Sequence, residues 1–283
     1  MKPFNHIALI TRVGTNSADT LDAIKNYLLK KKCEIYIEEN TAKIMGKNNL
    51  PTFSENKIPA EIELMIVVGG DGNLLNAAHC ATPNEIPVLG INRGRLGFLT
   101  DIHPNELSKI GDVISGNYTS EKRFLLTASH QKKQLGVALN DVVLLPGDTA
   151  QLIEFDIFIQ DQFVCHQRAD GLIIATPTGS TAYALSGGGP ILHPHLNAIV
   201  LVPMFPHTLS SRPIVVDGDA KIELLICKEN EVSPCISCDG QDRITMKPGS
   251  RIQITKNKKS LQLIHPDNYA YFETLRDKLG WQV

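Results

Sequence analysis

An apolar run, Leu64 to Val68, empties into Gly69, Gly70, Asp71 and Gly72, followed by Asn73, Leu74 and Leu75. Glycines let a backbone approach a ligand closely, and the helix start that follows offers unpaired N–H groups and positive potential to a phosphate. Gly69, Gly70 and Asn73 are phosphate candidates on that ground. Asp71 is the unexpected member. A carboxylate in a phosphate cradle repels its ligand unless it binds a metal or accepts a proton from a hydroxyl; capping the following helix is the structural alternative. Leu75 stands where the dinucleotide fingerprint GxGxxG has its third glycine, and GxxxxGK[ST] occurs nowhere, which argues against a Rossmann fingerprint and a Walker-type phosphate loop.

A second glycine-punctuated segment, Gly90 to Leu99, follows a strand-like run and carries Arg93 and Arg95, whose planar forks suit phosphate oxygens. A solvated surface loop is the plain alternative. Phe98 offers an aromatic wall for a base, or a core side chain. Asn140 and Asp141 interrupt the buried pattern of Val137 to Leu145. Polar side chains there need partners, a ligand hydroxyl or neighbouring backbone, since an unsatisfied one costs about 1–3 kcal/mol. The densest segment leads from Arg168 and Asp170 through the apolar Leu172 to Ala175 into hydroxyls, glycines and Tyr183, and closes on Gly187, Gly188 and Gly189. Neutral donors beside an aromatic face suit a sugar, amide or adenine better than a bare charge. His193, His195 and His207 stand beside no recognisable nucleophile and read as core or surface histidines. Cys235 and Cys238, with Cys227 upstream, lack the second pair that a four-ligand zinc site requires and read as small residues in a strand.

The elements that position these residues change in kind along the chain. From Ile7 to about Cys80, strand and helix signals alternate as they do in a parallel sheet with crossover helices. Ile7 to Ile10 is a strand; Leu21, Ile24 and Leu28 have helical spacing, with Thr15, Ser17 or Asp19 as N-cap; Ile35 and Ile37 alternate with polar residues. Thr41 to Pro59 reads as a loop, and Asn73 to Cys80 as a helix. Beyond Arg123, β-rich runs follow one another: Val137 to Leu145, Leu152 to Ile159, Leu172 to Ala175, Ala198 to Phe205, Ile214 to Val216, Ile222 to Ile226 and Arg251 to Thr255. Asn268 to Leu279 is helical again and is expected to dock on the first domain. The fold class expected is therefore an α/β N-terminal domain with a parallel sheet, residues 1–120 joined by 262–283, and a mainly β domain, residues 121–261.

With 28 Lys and Arg against 30 Asp and Glu, the chain has no basic field of the kind nucleic-acid binding relies on. No apolar run approaches the roughly 20 residues of a membrane span, and the N-terminus does not read as a signal peptide. Six scattered cysteines in a chain of this length suit a reducing, cytoplasmic setting. Small molecules, or further copies of the chain, are the expected partners.

Taken together, Gly69 to Asn73, Gly90 to Gly94, Asn140 with Asp141, Arg168 to Leu172 and Thr176 to Tyr183 resemble the bacterial NAD kinases in order and approximate spacing. Similarity continues through Gly189 to Leu192, Leu201 to Ser210, Ile236 to Gln241 and Leu279 to Trp281, so it covers nearly the whole chain. The resemblance implies an active site in a cleft between the two domains. It implies transfer of the ATP γ-phosphate to the 2′-hydroxyl of the adenosine ribose of NAD, giving NADP, with a divalent cation, Mg2+ or Mn2+. By position, Asp71 is the proton acceptor and Gly72 lines its turn. Asn140 and Asp141 match the pair that holds NAD, while Asp170 and the segment Thr181, Ala182, Tyr183, Ala184, Leu185 and Ser186 match nicotinamide-side and adenosine-side contacts. Leu75, Phe98, Gln151, Arg168, Thr178 and Gln241 complete the nucleotide set. A homodimer or homotetramer is also implied. Two residues depart from the pattern: Asn73 stands where many relatives have Thr, and Asp141 replaces Glu, which moves its carboxylate back by one methylene and favours a water-mediated ribose contact. A lipid kinase sharing the GGDG turn, and a sensor that binds the nucleotide without phosphorylating it, are the alternative functions.

Overall fold

The computed structural model describes residues 2–12, 17–46, 49–94, 97–147 and 151–281. Arg95 and Thr15 lie outside the described residues. The chain divides into two compact units, Met1–Lys122 with Lys259–Val283, and Arg123–Lys258.

In the first unit, β1 (His6–Ile10), α1 (Ala18–Lys30), β2 (Glu34–Glu38), α2 (Glu39–Met45), β3 (Thr52–Phe53), β4 (Leu64–Gly69), α3 (Asp71–Ala81), β5 (Val88–Asn92) and α4 (Leu107–Ile114) follow in order. The strands form a parallel sheet in the order β5, β4, β1, β2, β3. All six residues of β4 are buried, as a parallel strand covered on both faces requires. Leu21, Ile24 and Leu28 of α1 are fully buried, each such burial stabilising by about 1.5–3 kcal/mol. Ser17 occupies the N-cap position of α1 without a side-chain cap bond; its hydroxyl reaches Thr11 Oγ1 at 3.4 Å.

The segment Thr41 to Pro59, expected as a loop, contains most of α2 and all of β3. Glu38 explains α2: its carboxylate accepts from the N–H groups of Asn40 and Thr41 at 2.8 Å each, satisfying a helix start that has no Ser, Thr or Asn cap. Gly90, expected in a loop, lies inside β5, where a Cβ would come within 2.6 Å of the Leu99 carbonyl oxygen.

The second unit takes in β6 (Tyr118–His130), β7 (Lys133–Ala138), β8 (Asp141–Leu145), β9 (Ile153–Ile159), β10 (Gln162–Ala169), β11 (Gly171–Ala175), α5 (Tyr183–Ser186), β12 (Ala198–Met204), β13 (Ile214–Asp217), β14 (Ile222–Ile226), β15 (Cys235–Cys238) and β16 (Ile244–Thr245), with the first residues of β17 (Arg251–Pro266). The chain enters this unit within β6 and leaves it within β17; the end of β17 pairs parallel with β5, and α6 (Tyr271–Leu279) follows in the first unit.

One antiparallel layer runs β13, β12, β11, β8, β15, β16; another runs β10, β9, β14, β17, with β6 on β17 and β7 on β6. Ile153, Phe155 and Ile157 of β9 and Leu172 and Ile174 of β11 meet in one core between the layers. On the other face of β11, Ile173 and Ala175 pack with Ala184 of α5. The run Val137 to Leu145 is not one strand, because the chain turns at Leu139 and Asn140. The turn is stable because backbone groups that leave the ladder find partners: Thr176 donates its N–H to the Asn140 carbonyl, and the Asp239 carboxylate accepts from three successive amides of residues 139–141. Among the described residues no helix is long and apolar enough to cross a membrane.

Candidate active site

In the parallel sheet, the chain runs outward from β1 to β2 and β3, then returns to place β4 on the other side of β1. Ligands of open α/β sheets bind beyond the carboxyl ends of strands at such a reversal. Gly69 ends β4 there, and its register partner is Asn92 at the end of β5, so the two glycine segments emerge side by side.

Asp71 ties them together. Helix α3 has Gly70 as its N-cap and Asp71 in its first turn, so Asp71 does not cap it. Its carboxylate instead accepts from the N–H of Phe98 at 2.8 Å and of Leu99 at 3.1 Å, with the Thr100 hydroxyl at 3.4 Å. Gly97 permits this approach: a Cβ there would stand 2.0 Å from Asp71 Oδ1. Beyond Gly70 and Gly72, by contrast, no heavy atom of the described residues, other than those of the adjoining residues and the helix's own backbone, lies within 4 Å of where a Cβ would project. The turn is thus closed on its Gly97 side and open above its own glycines.

Asn73 is not free for phosphate. Its Nδ2 donates to the Val68 carbonyl at 2.9 Å and lies 3.4 Å from Thr11 Oγ1, folding across Gly69, whose φ of 150° and lack of a Cβ make room for it. Arg93 is exposed, and its neighbour Gly94 donates to Asn92 Oδ1 at 2.8 Å. Leu75 and Phe98 are half-buried, and the Lys278 ammonium lies 5.7 Å from the Phe98 ring centroid.

In the second unit, Asp141 and Ala175 are register partners, which puts Asn140, Asp141 and the start of the Thr176 segment at one end of their layer. Gly179 packs directly on Asn140; a Cβ on it would fall 2.1 Å from the Asn140 carbonyl oxygen. The hydroxyls read as ligand donors are largely engaged in building this turn. Thr176 Oγ1 donates to the Leu139 carbonyl at 2.5 Å, Ser180 Oγ to the Pro177 carbonyl at 2.6 Å, and Thr181 Oγ1 to the Thr178 carbonyl at 3.1 Å. Thr178 is buried and accepts from the buried Arg123 at 3.2 Å. Tyr183 and Ser186 are exposed and line a cavity of about 590 Å³ with Gly187, Gly188 and the 203–213 segment; Ala182 and Leu185 are half-buried, and Ala184 is buried.

The remaining candidates are placed elsewhere in this unit. Asp170 lies just before β11, at the opposite end from Asn140, with its N–H on the Met204 carbonyl. Gln151 and Arg168 share a different cavity, of about 360 Å³, with Glu154 and Glu229. Gln241 is exposed in the turn after β15, where its carbonyl accepts from Ser237 at 2.9 Å.

Asp239 is the residue the sequence reading missed. It follows β15 within the segment Ile236 to Gln241 and holds the backbone of Leu139, Asn140 and Asp141 at 2.7–3.1 Å. A polar residue pair interrupting an apolar run asks for such an anchor, but the anchor lies about a hundred positions away. Burial, with the nearby Asp239 charge added, pushes the Asp141 carboxyl up to about 7. The CxxC pair is structural: Cys235 and Cys238 are buried in β15, and burial, followed by the charges of Asp239 and Asp141, raises the Cys238 thiol to about 12. His193 and His195 pack edge to face 5.0 Å apart, and His207 is exposed.

A parallel-sheet unit with a carboxylate-bridged glycine crevice, joined to an antiparallel β unit, defines a nucleotide-binding class of protein. The family models for the ATP-NAD kinase N-terminal and C-terminal domains match residues 7–118 and 139–266. An NAD kinase of Coxiella burnetii (strain RSA 493 / Nine Mile phase I) is 57% identical over 284 residues, 99% of this chain and 95% of its own. One from Pseudomonas putida (strain GB-1) is 50% identical over 287 residues, 99% and 97% of the two chains. Among solved structures, an Archaeoglobus fulgidus NAD kinase in complex with ATP superposes with a TM-score of 0.76 at 25% identity, covering 96% of this chain and 99% of that one. The yeast NADH kinase complexed with NADH shares the fold with a TM-score of 0.88 at 24% identity, over 100% of this chain and 89% of the other. The chain belongs to the ATP-NAD kinase family.

Proposed function

We propose that this chain transfers the γ-phosphate of ATP to the 2′-hydroxyl of the adenosine ribose of NAD, giving NADP. The observation that carries the reading is Asp71, a carboxylate fixed at the first turn of α3 by amides of the second glycine segment, beside open space over Gly70 and Gly72. A ribose hydroxyl is a poor nucleophile, and a carboxylate held in place orients it and takes its proton. Helix α3 presents its unpaired N–H groups at the same turn, which favours the phosphates. Phosphoryl transfer asks mainly for alignment and charge neutralisation, and exposed Arg93 supplies positive charge next to the crevice.

A divalent cation, Mg2+ or Mn2+, fits the donor set. Mg2+ is usually held by phosphate oxygens, several waters and one or two carboxylates, and Asp71 is a half-buried carboxylate of that kind. When bound, the cation neutralises charge on the transferring phosphoryl group. On the second unit, Asn140, Asp141, Tyr183 and Ser186 are the residues we assign to NAD. The exposed Phe205 and Leu209 beside Tyr183 support assembly as a homodimer or homotetramer, measurable by light scattering, and the scattered cysteines suit a cytoplasmic setting.

The test is incubation of purified protein with NAD, ATP and Mg2+, reading NADP with an NADP-specific dehydrogenase. Product that disappears with excess chelator is the expected result. NAD binding by calorimetry with no product would overturn the kinase reading in favour of a nucleotide sensor.

A further inference from the structure

Outside the glycine crevice, three side chains capable of holding a metal converge on the second unit. Asp156 lies on β9, His166 on β10 and Cys227 just beyond the end of β14. Asp156 is the register partner of both His166 and Leu225, so its side chain stands in a row across three neighbouring strands. The face is fixed by alternation: Ile153, Phe155 and Ile157 of β9 point into the core, which leaves Glu154 and Asp156 on the outside. Cys227 continues the ladder, donating its N–H to the Glu154 carbonyl at 3.0 Å. His166 Nδ1 lies 2.8 Å from Asp156 Oδ1 and 4.0 Å from Cys227 Sγ, and the ligand atoms of the three residues all fall within 4.8 Å of one another.

We propose that Asp156, His166 and Cys227 form a binding site for a zinc-class divalent cation, with a fourth position open to solvent. One oxygen, one imidazole nitrogen and one sulfur are the mixed donor set that zinc accepts and that Mg2+ or Ca2+ does not favour. A tetrahedral zinc ion places such ligands about 3.2–3.7 Å apart, from bond lengths of about 2.0–2.3 Å. The separations here reach that spacing through small side-chain rotations on strands whose backbones are fixed by pairing. Burial, followed by the charges of Asp156, Glu154 and Glu229, pushes the free Cys227 thiol up to about 11, so a bound dication would displace that proton and be balanced by the resulting thiolate and the Asp156 carboxylate. Glu154 is itself partly offset by Arg168 at 3.6 Å. Half of the His166 side chain surface is open, which leaves an entry path and room for a water as fourth ligand.

The site is independent of the phosphoryl-transfer reading and is tested without an activity assay. Chelator-stripped full-length protein is titrated with Zn2+ by calorimetry, and with Co2+ by absorption, where a cobalt–thiolate bond produces a charge-transfer band. The expected result is one equivalent of Zn2+ bound with a saturable isotherm and a Co2+ charge-transfer band. Cys227→Ser should abolish the band, and His166→Ala and Cys227→Ser should each weaken Zn2+ at least tenfold, with melting temperatures in chelator close to wild type because all three side chains reach the surface. Cys235→Ser, in the buried strand, should leave the band unchanged. No saturable binding, which would leave Asp156 and His166 as a hydrogen-bonded pair only, overturns the proposal. So do affinity and a band that survive both substitutions.

Discussion

The two units handle their polar candidate residues in opposite ways. In the parallel-sheet unit, one short stretch supplies the crevice, and its chemical group, Asp71, is held by backbone amides of another segment while the space above its neighbouring glycines stays open. In the β unit, a long hydroxyl-rich segment looks like a bank of ligand donors, yet Ser180 and Thr181 direct their hydroxyls at the segment's own backbone and Thr176 directs its hydroxyl at the Leu139 carbonyl. The lesson is that such a segment acts by shape: its buried hydroxyls fix a tight turn against Asn140, and only its outer residues, Tyr183 and Ser186, remain for a ligand.

Short of replacing Asp71 itself, the most damaging way to break the first half of this comparison is Gly97→Ala. A methyl group 2.0 Å from Asp71 Oδ1 and 2.3 Å from Thr100 Oγ1 must displace the carboxylate, and a shift near 1 Å costs about a hundredfold; steady-state kinetics should show that loss chiefly in kcat. Next in size is Asp141→Asn. Because the folded pKa is raised to about 7 from 3.8, the native state holds this proton more tightly than the unfolded chain. The wild type therefore loses stability as pH rises from about 4 to 7, by an amount on the order of a few kcal/mol. Denaturant melts should find the variant more stable than wild type at pH 8 and level with it near pH 4.

Smaller effects sharpen the second half. Ser180→Ala removes a buried hydroxyl that donates to Pro177 and accepts from Leu192 at 2.9 Å, so it should cost about 1–3 kcal/mol of stability. Tyr183→Phe, at a ring 45% exposed, should leave the melting temperature within a degree or so of wild type while raising KM for NAD. Equal stability losses in the two variants would erase the distinction between turn-building and ligand-facing hydroxyls.

How far all this was legible depends on the range of the interactions. The fold class and the strand-turn-helix at Leu64 to Ala81 could be read because a six-residue buried strand, a glycine turn and an apolar helix face are local patterns. Helix α2 was missed because its start is capped by Glu38, a residue type whose capping role emerges only when its side chain bends back to Asn40 and Thr41. Asp71 was recognised as chemical from its neighbours, but the amides that hold it come from 27 and 28 positions away. Asp239, and the meeting of Asp156 with His166 and Cys227, were illegible because they are made by strand pairing across 10 to about 100 positions. The hydroxyl segment was legible as important and misleading as to how, since composition does not say which way a side chain points.

The central claim is that Asp71 acts on the hydroxyl in the transition state and does not merely shape the crevice. The most direct measurement is NADP formation by Asp71→Asn beside wild type, with NAD affinity measured by calorimetry on the same samples. Asparagine keeps the size but only one of the two oxygens that accept from Phe98 and Leu99. The variant should still fold, and NAD affinity within a few-fold of wild type beside a kcat lower by about 10²–10⁴ separates loss of the base from a disturbed crevice. Turnover close to wild type would remove Asp71 from the role of base and contradict the account.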